Sequence, residues 1–98
     1  MAFPIELHEA AEAELWEAID WYDAQKENLG KEFARELERV VKSISQTPKA
    51  FAKVEGEARK AVLRRFPYIV IFRVKDEIVI VLAIFHTSRS PKQWMSRQ

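Results

Sequence analysis

The apolar segment Ile78–Phe85 constrains the fold of this 98-residue sequence more than any other part of it. Its residues are all apolar and mostly β-branched, which is typical of a β-strand. Because side chains alternate along a strand, two sets would point to opposite faces. The predicted sets are Ile78, Ile80, Leu82 and Ile84 on one face, and Val79, Val81, Ala83 and Phe85 on the other. A strand that is apolar on both faces needs cover on both, so we expect it in the interior of a sheet.

Two further segments, residues 61–66 and 68–74, show the period-two pattern and the β-branched or aromatic residues of strands. Residues 75–77 give a connection of hairpin length between the second of these segments and the apolar strand. Residues 4–7 are expected to form a short edge strand. Residues 49–58 show no clear period and are predicted to be a loop.

Two helices are predicted before these strands, from about Glu9 to Lys26 and from about Lys31 to Gln46. Their apolar residues recur at helical spacing and form one buried stripe on each helix. The stripes are Ala11, Leu15, Ala18, Ile19 and Tyr22, then Phe33, Leu37, Val40, Val41 and Ile44. Gly30 is expected to end the first helix at positive φ, and Pro48 ends the second. Because the connection between the helices is so short, they are predicted to form an antiparallel hairpin. His8, before the first helix, gives only a weak capping signal and is expected to be exposed.

Length and composition fit one domain, residues 1–98. The absence of cysteine excludes a disulfide scaffold and a cysteine–zinc site. No apolar run approaches the ~20 residues of a membrane-spanning helix, and the first six residues lack the pattern of a signal peptide. We therefore expect a soluble, cytoplasmic protein with no membrane partner.

The amount of chain available to cover the sheet is small. Two helices can cover one face, but too little sequence remains to cover the other completely. Either the sheet curls around its own core or another polypeptide completes the cover. A large exposed apolar patch usually marks an interaction site.

The net charge of +1 conceals an uneven distribution. Residues 1–58 contain 13 acidic and seven basic residues, a net −6, whereas residues 59–98 contain two acidic and nine basic residues, a net +7. This asymmetry indicates a polar interaction surface, or it reflects only the preference of acidic residues for helices. Basic residues interleaved with aromatic ones suit phosphate contact and base stacking, docking onto an acidic protein, or a solvated sheet face.

Few residues could carry chemistry. His86 at the end of the last strand could act as an acid or base, and Arg89 could hold a phosphate or a developing anion. His86 could equally be a structural hydrogen-bonding residue, Tyr68 a core or edge aromatic, and Trp94 a packing anchor for the C-terminal segment. No metal-ligand spacing, glycine-rich phosphate loop or nucleophile elbow is present, so no metal or cofactor is expected.

A set of short motifs extends over nearly the whole chain. They are Ala10…Leu15…Trp21-Tyr22, Leu29-Gly30…Phe33, Pro48, Arg59, Leu63-Arg64-Arg65-Phe66-Pro67-Tyr68 and His86-Thr87-Ser88-Arg89-Ser90-Pro91-Lys92-Gln93-Trp94. Each motif alone is weak evidence, but Phe-Pro-Tyr followed by His-x-x-Arg-x-Pro-x-x-Trp is fairly specific to one group of proteins. With these motifs the chain resembles toxins of the RelE/ParE superfamily from bacterial type II toxin–antitoxin modules, and their ParE-like branch in particular.

This resemblance implies an α+β fold in which an N-terminal αα-hairpin packs on a small curved antiparallel β-sheet. It also implies a cognate antitoxin, encoded beside the toxin, that forms a hetero-oligomer with it and neutralises it. Such modules are associated with growth inhibition and plasmid stabilisation. We expect the antitoxin and target contacts to overlap in the basic half of the chain.

The superfamily divides by activity. ParE-like members poison DNA gyrase, whereas RelE-like members cut mRNA in the ribosome by promoting attack of the ribose 2′-hydroxyl. Tyr68 stands where RelE-like enzymes tend to carry arginine, Thr87 lies near another position that is usually basic, and Trp94 stands in place of a catalytic tyrosine. The resemblance therefore favours a toxin that binds DNA gyrase, with a ribosome-dependent mRNA endoribonuclease as the alternative.

The candidate site residues derive from this resemblance and from the basic half of the chain. Those expected to bind the target or the antitoxin are Arg59, Arg64, Arg65, Tyr68, His86, Arg89 and Trp94. Under the ribonuclease alternative, His86 is the acid–base, and Arg65 and Arg89 bind the scissile phosphate.

Overall fold

The computed structural model describes residues 2–98 as two long helices packed on a five-stranded sheet, with a short helix at the C-terminal end. The elements are β1 (Ile5–Leu7), α1 (Glu9–Gln25), α2 (Leu29–Gln46), a 3₁₀ turn (Pro48–Ala50), β2 (Lys53–Glu55), β3 (Ala58–Val62), β4 (Tyr68–Lys75), β5 (Ile78–His86) and α3 (Lys92–Met95). The α+β class is confirmed. None of the helices in this part of the chain is long and apolar enough to cross a membrane.

The strands lie in the order β1-β5-β4-β3-β2, so the apolar β5 is an interior strand, as predicted. The sheet is mixed, because β1 runs parallel to β5 while every other neighbouring pair is antiparallel. The predicted antiparallel pairing is confirmed for β2 to β5, and the short edge strand β1 is the exception. No hairpin links β1 to β5, so no tight turn dictates their relative direction.

A β-bulge between β4 and β5 changes which face each side chain occupies. Ile71 pairs with Ala83 and Phe72 with Val81, so Leu82 has no partner across the ladder. Beyond Leu82 the alternation is reversed. Val79, Val81 and Ile84 therefore share the helix-side core, and Leu82, Ala83 and Phe85 lie on the opposite face. The predicted faces are wrong for residues 83–85 because strict alternation does not allow for the extra residue.

The connection between the helices differs from the predicted glycine stop. Asn28, not Gly30, has the positive φ, at 67°, and α2 begins at Leu29. Gly30 is buried in the first turn of α2, where a Cβ would lie only 2.5 Å from the carbonyl oxygen of Ile19 on α1. The glycine therefore permits the close approach of two helices. Its N–H donates to Asp23 Oδ1 at 2.8 Å, which joins the two helices at this crossing.

The helix-side core contains a cluster of four aromatic rings where α1 and α2 meet the start of β4. The Phe33 centroid lies 5.3 Å from Tyr22, 5.2 Å from Phe66 and 5.0 Å from Tyr68. Such spacings are typical of packed aromatic pairs. This cluster fixes the position of Tyr68 relative to α1.

The opposite face of the sheet receives cover from the C-terminal segment. Trp94 on α3 is buried there, as the packing interpretation predicts. Its buried neighbours are Ala58, Ile71, Leu82, Ala83 and Phe85. The chain itself thus covers part of the second face.

Three local details differ from the sequence predictions. His8 is partly buried and caps α1, because its Nδ1 accepts the Ala10 N–H at 3.0 Å. The predicted loop over residues 49–58 contains the 3₁₀ turn and β2. The strand predicted over residues 61–66 instead spans Ala58–Val62, and residues 63–67 form a bend before β4.

Candidate functional site

A groove lies between α1 and the paired ends of β4 and β5. Its volume is about 520 Å³. The side chains that give it chemical character are Glu14, Glu17, Trp21, Tyr68, His86 and Arg89. Tyr68 and His86 are opposite one another across the β4–β5 ladder, so strand register brings them together. The groove thus combines aromatic rings with acidic groups on α1 and with His86 and Arg89 at the end of β5 and in the turn that follows it.

Tyr68 occupies the centre of this arrangement. Its ring lies 5.1 Å from the His86 ring at an angle of 82°, and it is half-buried. Burial raises the pKa of the Tyr68 hydroxyl above its usual value of 10.0, the positive charge of Arg89 lowers it, and Glu17 raises it further. The hydroxyl is therefore neutral at physiological pH and can both donate and accept a hydrogen bond.

His86 is oriented by the turn after β5. Its Nδ1 accepts the Ser88 backbone N–H at 3.1 Å and lies 2.8 Å from Ser88 Oγ. Because a backbone N–H can only donate, this contact assigns the proton of the neutral imidazole to Nε2. His86 therefore offers an Nε2–H donor in its neutral form, and its basic nitrogen is already occupied.

A largely buried ion pair between Glu14 and Arg97 lies at one side of the groove, beside α1. Glu14 accepts from Arg97 Nη1 at 2.9 Å and from Nη2 at 3.1 Å. Glu14 also accepts the Ile84 N–H at 3.1 Å, and Arg97 donates to the Leu82 carbonyl oxygen at 2.9 Å. The ion pair thus provides hydrogen-bond partners for the Leu82 carbonyl and the Ile84 N–H of β5. These groups lie beside the bulge, past the last β5 residue that pairs with β1. It connects α1, β5 and the C-terminal segment at one point.

The structure brings together three of the predicted site residues, Tyr68, His86 and Arg89. Arg65 lies in a different groove with Arg35 and Arg39 and donates to Glu32 at 3.0 Å.

The remaining three predicted residues also lie elsewhere. Arg59 donates to the carbonyl oxygens of Lys49 and Phe51, at 3.2 and 2.6 Å, and so holds the segment before β2. Arg64 is exposed beside α2, and Trp94 is buried under the sheet.

Sequence reasoning missed the contribution of α1 to this groove. Glu14 on α1 binds Arg97, which lies 83 residues further along the sequence. No local signal could reveal that contact. Trp21 did carry a signal, because a large aromatic residue adjacent to the buried Tyr22 must lie on another side of the helix; it is 59% exposed. Within residues 2–98 no three His, Asp or Glu side chains are grouped so that they could hold a metal ion.

Comparison with known proteins identifies the family. A sequence model of the ParE toxin of the type II toxin–antitoxin system, parDE, matches residues 5–91. The chain belongs to the ParE toxin family. Toxin ParE2 of Mycobacterium tuberculosis, from each of two strains, is 33% identical over 88 residues, which cover 89% of this chain and 84% of the relative.

Solved structures support the same fold for this ParE-family chain. The chromosomal ParDE toxin–antitoxin system from P. aeruginosa gives a TM-score of 0.77 at 21% identity, covering 87% of this chain and 96% of the matched chain. The toxin–antitoxin complex RelBE2 from M. tuberculosis gives a TM-score of 0.62 at 16% identity, with coverage of 88% and 99%. At such identities the similarity shows the fold alone. The RelE/ParE resemblance predicted from the motifs is confirmed.

Proposed function

We propose that this ParE-family chain inhibits bacterial growth by binding a macromolecular target, DNA gyrase by its likeness to ParE. A cognate antitoxin neutralises it by forming a hetero-oligomer with it in the cytoplasm. The module contributes to plasmid stabilisation.

The arrangement of the candidate catalytic residues carries this proposal. Mechanisms in which a histidine and two arginines act on one phosphate require the three groups to converge. Arg65 is bound to Glu32 in a separate groove, whereas His86 and Arg89 line the groove over α1. His86 Nδ1 is occupied by Ser88, which removes its free basic nitrogen. These contacts favour binding over cleavage.

One observation supports the ribonuclease alternative. Tyr68, His86 and Arg89 share one groove, and a histidine beside an arginine can serve phosphate chemistry without Arg65. In that case His86 must exchange its Ser88 contact before it can accept a proton through Nδ1. The two functions therefore differ in the expected effect of a single substitution at His86.

The antitoxin part of the proposal is supported by charge and by the structural relatives. Both matched structures are described as toxin–antitoxin systems or complexes. Residues 59–98 of this chain carry a net charge of +7, which complements an acidic partner. Charge complementarity also accelerates association, so the antitoxin can capture newly made toxin rapidly.

The decisive experiment is induction of this chain alone in bacteria, with plasmid supercoiling, DNA breaks and mRNA cleavage followed in parallel. Binding to gyrase predicts altered supercoiling and DNA breaks, and inhibition of purified gyrase in a supercoiling assay. His86→Ala and Arg89→Ala should each weaken this effect only in part, because a binding surface keeps its other contacts when one side chain is truncated. Lys75→Ala, at the far end of β4, is the matched control and should remain as toxic as the wild type.

The alternative function gives a different pattern. Ribosome-dependent cuts in mRNA without an effect on gyrase, abolished by His86→Ala alone, would establish a ribonuclease and contradict the proposal. Failure of the chain to bind the product of the adjacent gene would contradict the antitoxin part separately.

A further inference from the structure

Two opposite charges line the groove over α1 without pairing with each other. Arg89 lies in the turn after β5 and Glu17 lies on α1. Both residues are exposed, and neither forms an ion pair within residues 2–98. Both charges are therefore available to a molecule that enters the groove.

The Tyr68 hydroxyl is influenced by both of these charges. Burial raises its pKa above 10.0, the positive charge of Arg89 lowers that pKa, and the negative charge of Glu17 raises it. Because the hydroxyl is neutral, it can donate to an anion or accept from a donor. His86 adds an Nε2–H donor, since its Nδ1 accepts the Ser88 N–H. The groove thus offers neutral hydrogen-bonding groups beside the two charges.

The ion pair between Glu14 and Arg97 explains why Arg89 stays available. Glu14 lines the same groove, but its two oxygens accept from Arg97 at 2.9 and 3.1 Å. Its side chain is only 12% exposed, so its charge requires a partner within the protein, and Arg97 supplies it. Glu17 is exposed and hydrated, so an ion pair with Arg89 would gain little. The groove therefore presents Arg89 and Glu17 as separate charges.

This arrangement of charges fits a segment of protein better than a nucleic acid. A nucleic-acid backbone carries a phosphate at every nucleotide and is bound by several cations along its path. Here Glu17 lies in the same groove as Arg89 and would repel a second phosphate. Trp21 also lines the groove and is 59% exposed, and tryptophan is enriched at the centres of protein–protein interfaces.

We propose that the groove over α1 binds a segment of the target protein that carries an acidic and a basic side chain beside an apolar one. The inference rests on the proposed binding of a macromolecular target and names the chemistry by which that target is recognised. The acidic side chain pairs with Arg89 and accepts hydrogen bonds from His86 and Tyr68. The basic side chain pairs with Glu17, and the apolar side chain packs against Trp21.

An exchange of the two charges tests whether their arrangement is recognised. The double variant Arg89→Glu/Glu17→Arg keeps the net charge and reverses the charges in the groove. Glu38→Lys/Lys42→Glu is the matched control, because it exchanges two exposed charges of α2 that do not line this groove. In a supercoiling assay with purified DNA gyrase, the concentration for half-maximal inhibition should rise at least about tenfold for the groove variant and less than about threefold for the control. Equal inhibition by the two variants would overturn the inference.

Binding measurements separate the target protein from other occupants of the groove. The wild-type chain should bind purified gyrase in the absence of DNA, and the groove variant should bind it more weakly. If the wild-type chain binds a short DNA duplex and Arg89→Glu abolishes that binding, the groove recognises phosphate and the inference is wrong. It is also wrong if the charge exchange weakens binding of the product of the adjacent gene but leaves gyrase inhibition unchanged.

Hydroxyl-radical footprinting of the wild-type complex gives a readout that does not depend on how a variant folds. Trp16 and Trp21 both lie on α1 and are 57% and 59% exposed, but of the two only Trp21 lines the groove. Their separation of five residues places them roughly 140° apart around the helix. Gyrase should therefore protect Trp21 from oxidation more strongly than Trp16.

The two levels of the proposal fail in different ways. A stable complex with gyrase in which Trp21 is no better protected than Trp16 would refute the inference and leave gyrase as the target. If the wild-type chain neither binds nor inhibits gyrase, the proposed function itself fails.

Discussion

The ion pair between Glu14 and Arg97 allows a sharp prediction for the substitution Arg97→Ala. The two side chains are only 12% and 15% exposed, and they make two parallel hydrogen bonds of 2.9 and 3.1 Å. Removal of Arg97 leaves the Glu14 carboxylate with the Ile84 N–H as its remaining partner, and leaves the Leu82 carbonyl oxygen without its donor. The loss is therefore larger than that of an exposed ion pair.

The size of the expected decrease in the free energy of unfolding depends on how deeply the ion pair is buried. Breaking a fully buried pair from one side costs about 3–5 kcal/mol. Since both groups retain slight exposure, we expect a decrease of about 2–3 kcal/mol in the free energy of unfolding. For a domain of this size each kcal/mol corresponds to roughly 4–8 °C, so Tm should fall by about 10–20 °C. A domain of this length is stable by only about 5–15 kcal/mol, so the change is a large share of the total.

Urea and thermal unfolding followed by circular dichroism measure this change. Arg89→Ala is the matched control, because Arg89 is exposed and forms no ion pair within residues 2–98; it should change stability by less than about 0.5 kcal/mol. In a double-mutant cycle, Glu14→Gln and Arg97→Ala should show a coupling energy of about 1–3 kcal/mol. If Arg97→Ala unfolds like the wild type and the coupling is zero, the C-terminal segment is not held by this pair and the reasoning is wrong.

Three further outcomes are expected. Gly30→Ala should lower the free energy of unfolding by about 1–3 kcal/mol in urea melts, because the methyl group meets the Ile19 carbonyl oxygen; an unchanged midpoint would show that the helices can separate freely. Burial raises the pKa of Tyr22 and of Tyr68 above 10.0, so the folded chain retains protons that the unfolded chain releases. The free energy of unfolding should therefore be full below pH 10.0 and fall above it. The ultraviolet signal of tyrosinate should appear at a higher pH in the folded chain than in the chain unfolded in urea. His8→Ala should cost about 1 kcal/mol in a thermal melt through loss of the helix cap, whereas His8→Asn should cost much less.

Local sequence patterns predicted most of the secondary structure correctly. Helical spacing of apolar residues located α1 to within a residue of its end, and the β-branched runs located β4 and β5. Those elements depend on contacts within a few residues, which a sequence displays directly. The same patterns could not reveal the bulge at Leu82, because one inserted residue leaves the composition of the strand unchanged and reverses only the facing of the residues beyond it.

Contacts between distant segments were beyond sequence reasoning for a different reason. A glycine in the sequence looks the same whether it ends a helix or allows a second helix to approach closely. For Gly30, only the position of the Ile19 carbonyl oxygen on α1 shows that the second role applies. Under the ribonuclease alternative, Arg65 is expected to bind the scissile phosphate together with Arg89, beside His86. In the structure Glu32 and Glu36 on α2 hold its side chain and its backbone N–H instead.

The division of charge between the halves of the chain now has a structural interpretation. Part of it is internal, because Glu14 binds Arg97 and Glu32 binds Arg65, each joining the acidic helices to the basic half. Neither helix propensity alone nor an external partner alone accounts for such pairs. Arg64 and Arg89 remain without an ion pair within residues 2–98, and they line two different grooves. Two of the charges that remain available to partners therefore lie apart, Arg64 at the edge of β3 and Arg89 in the groove over α1.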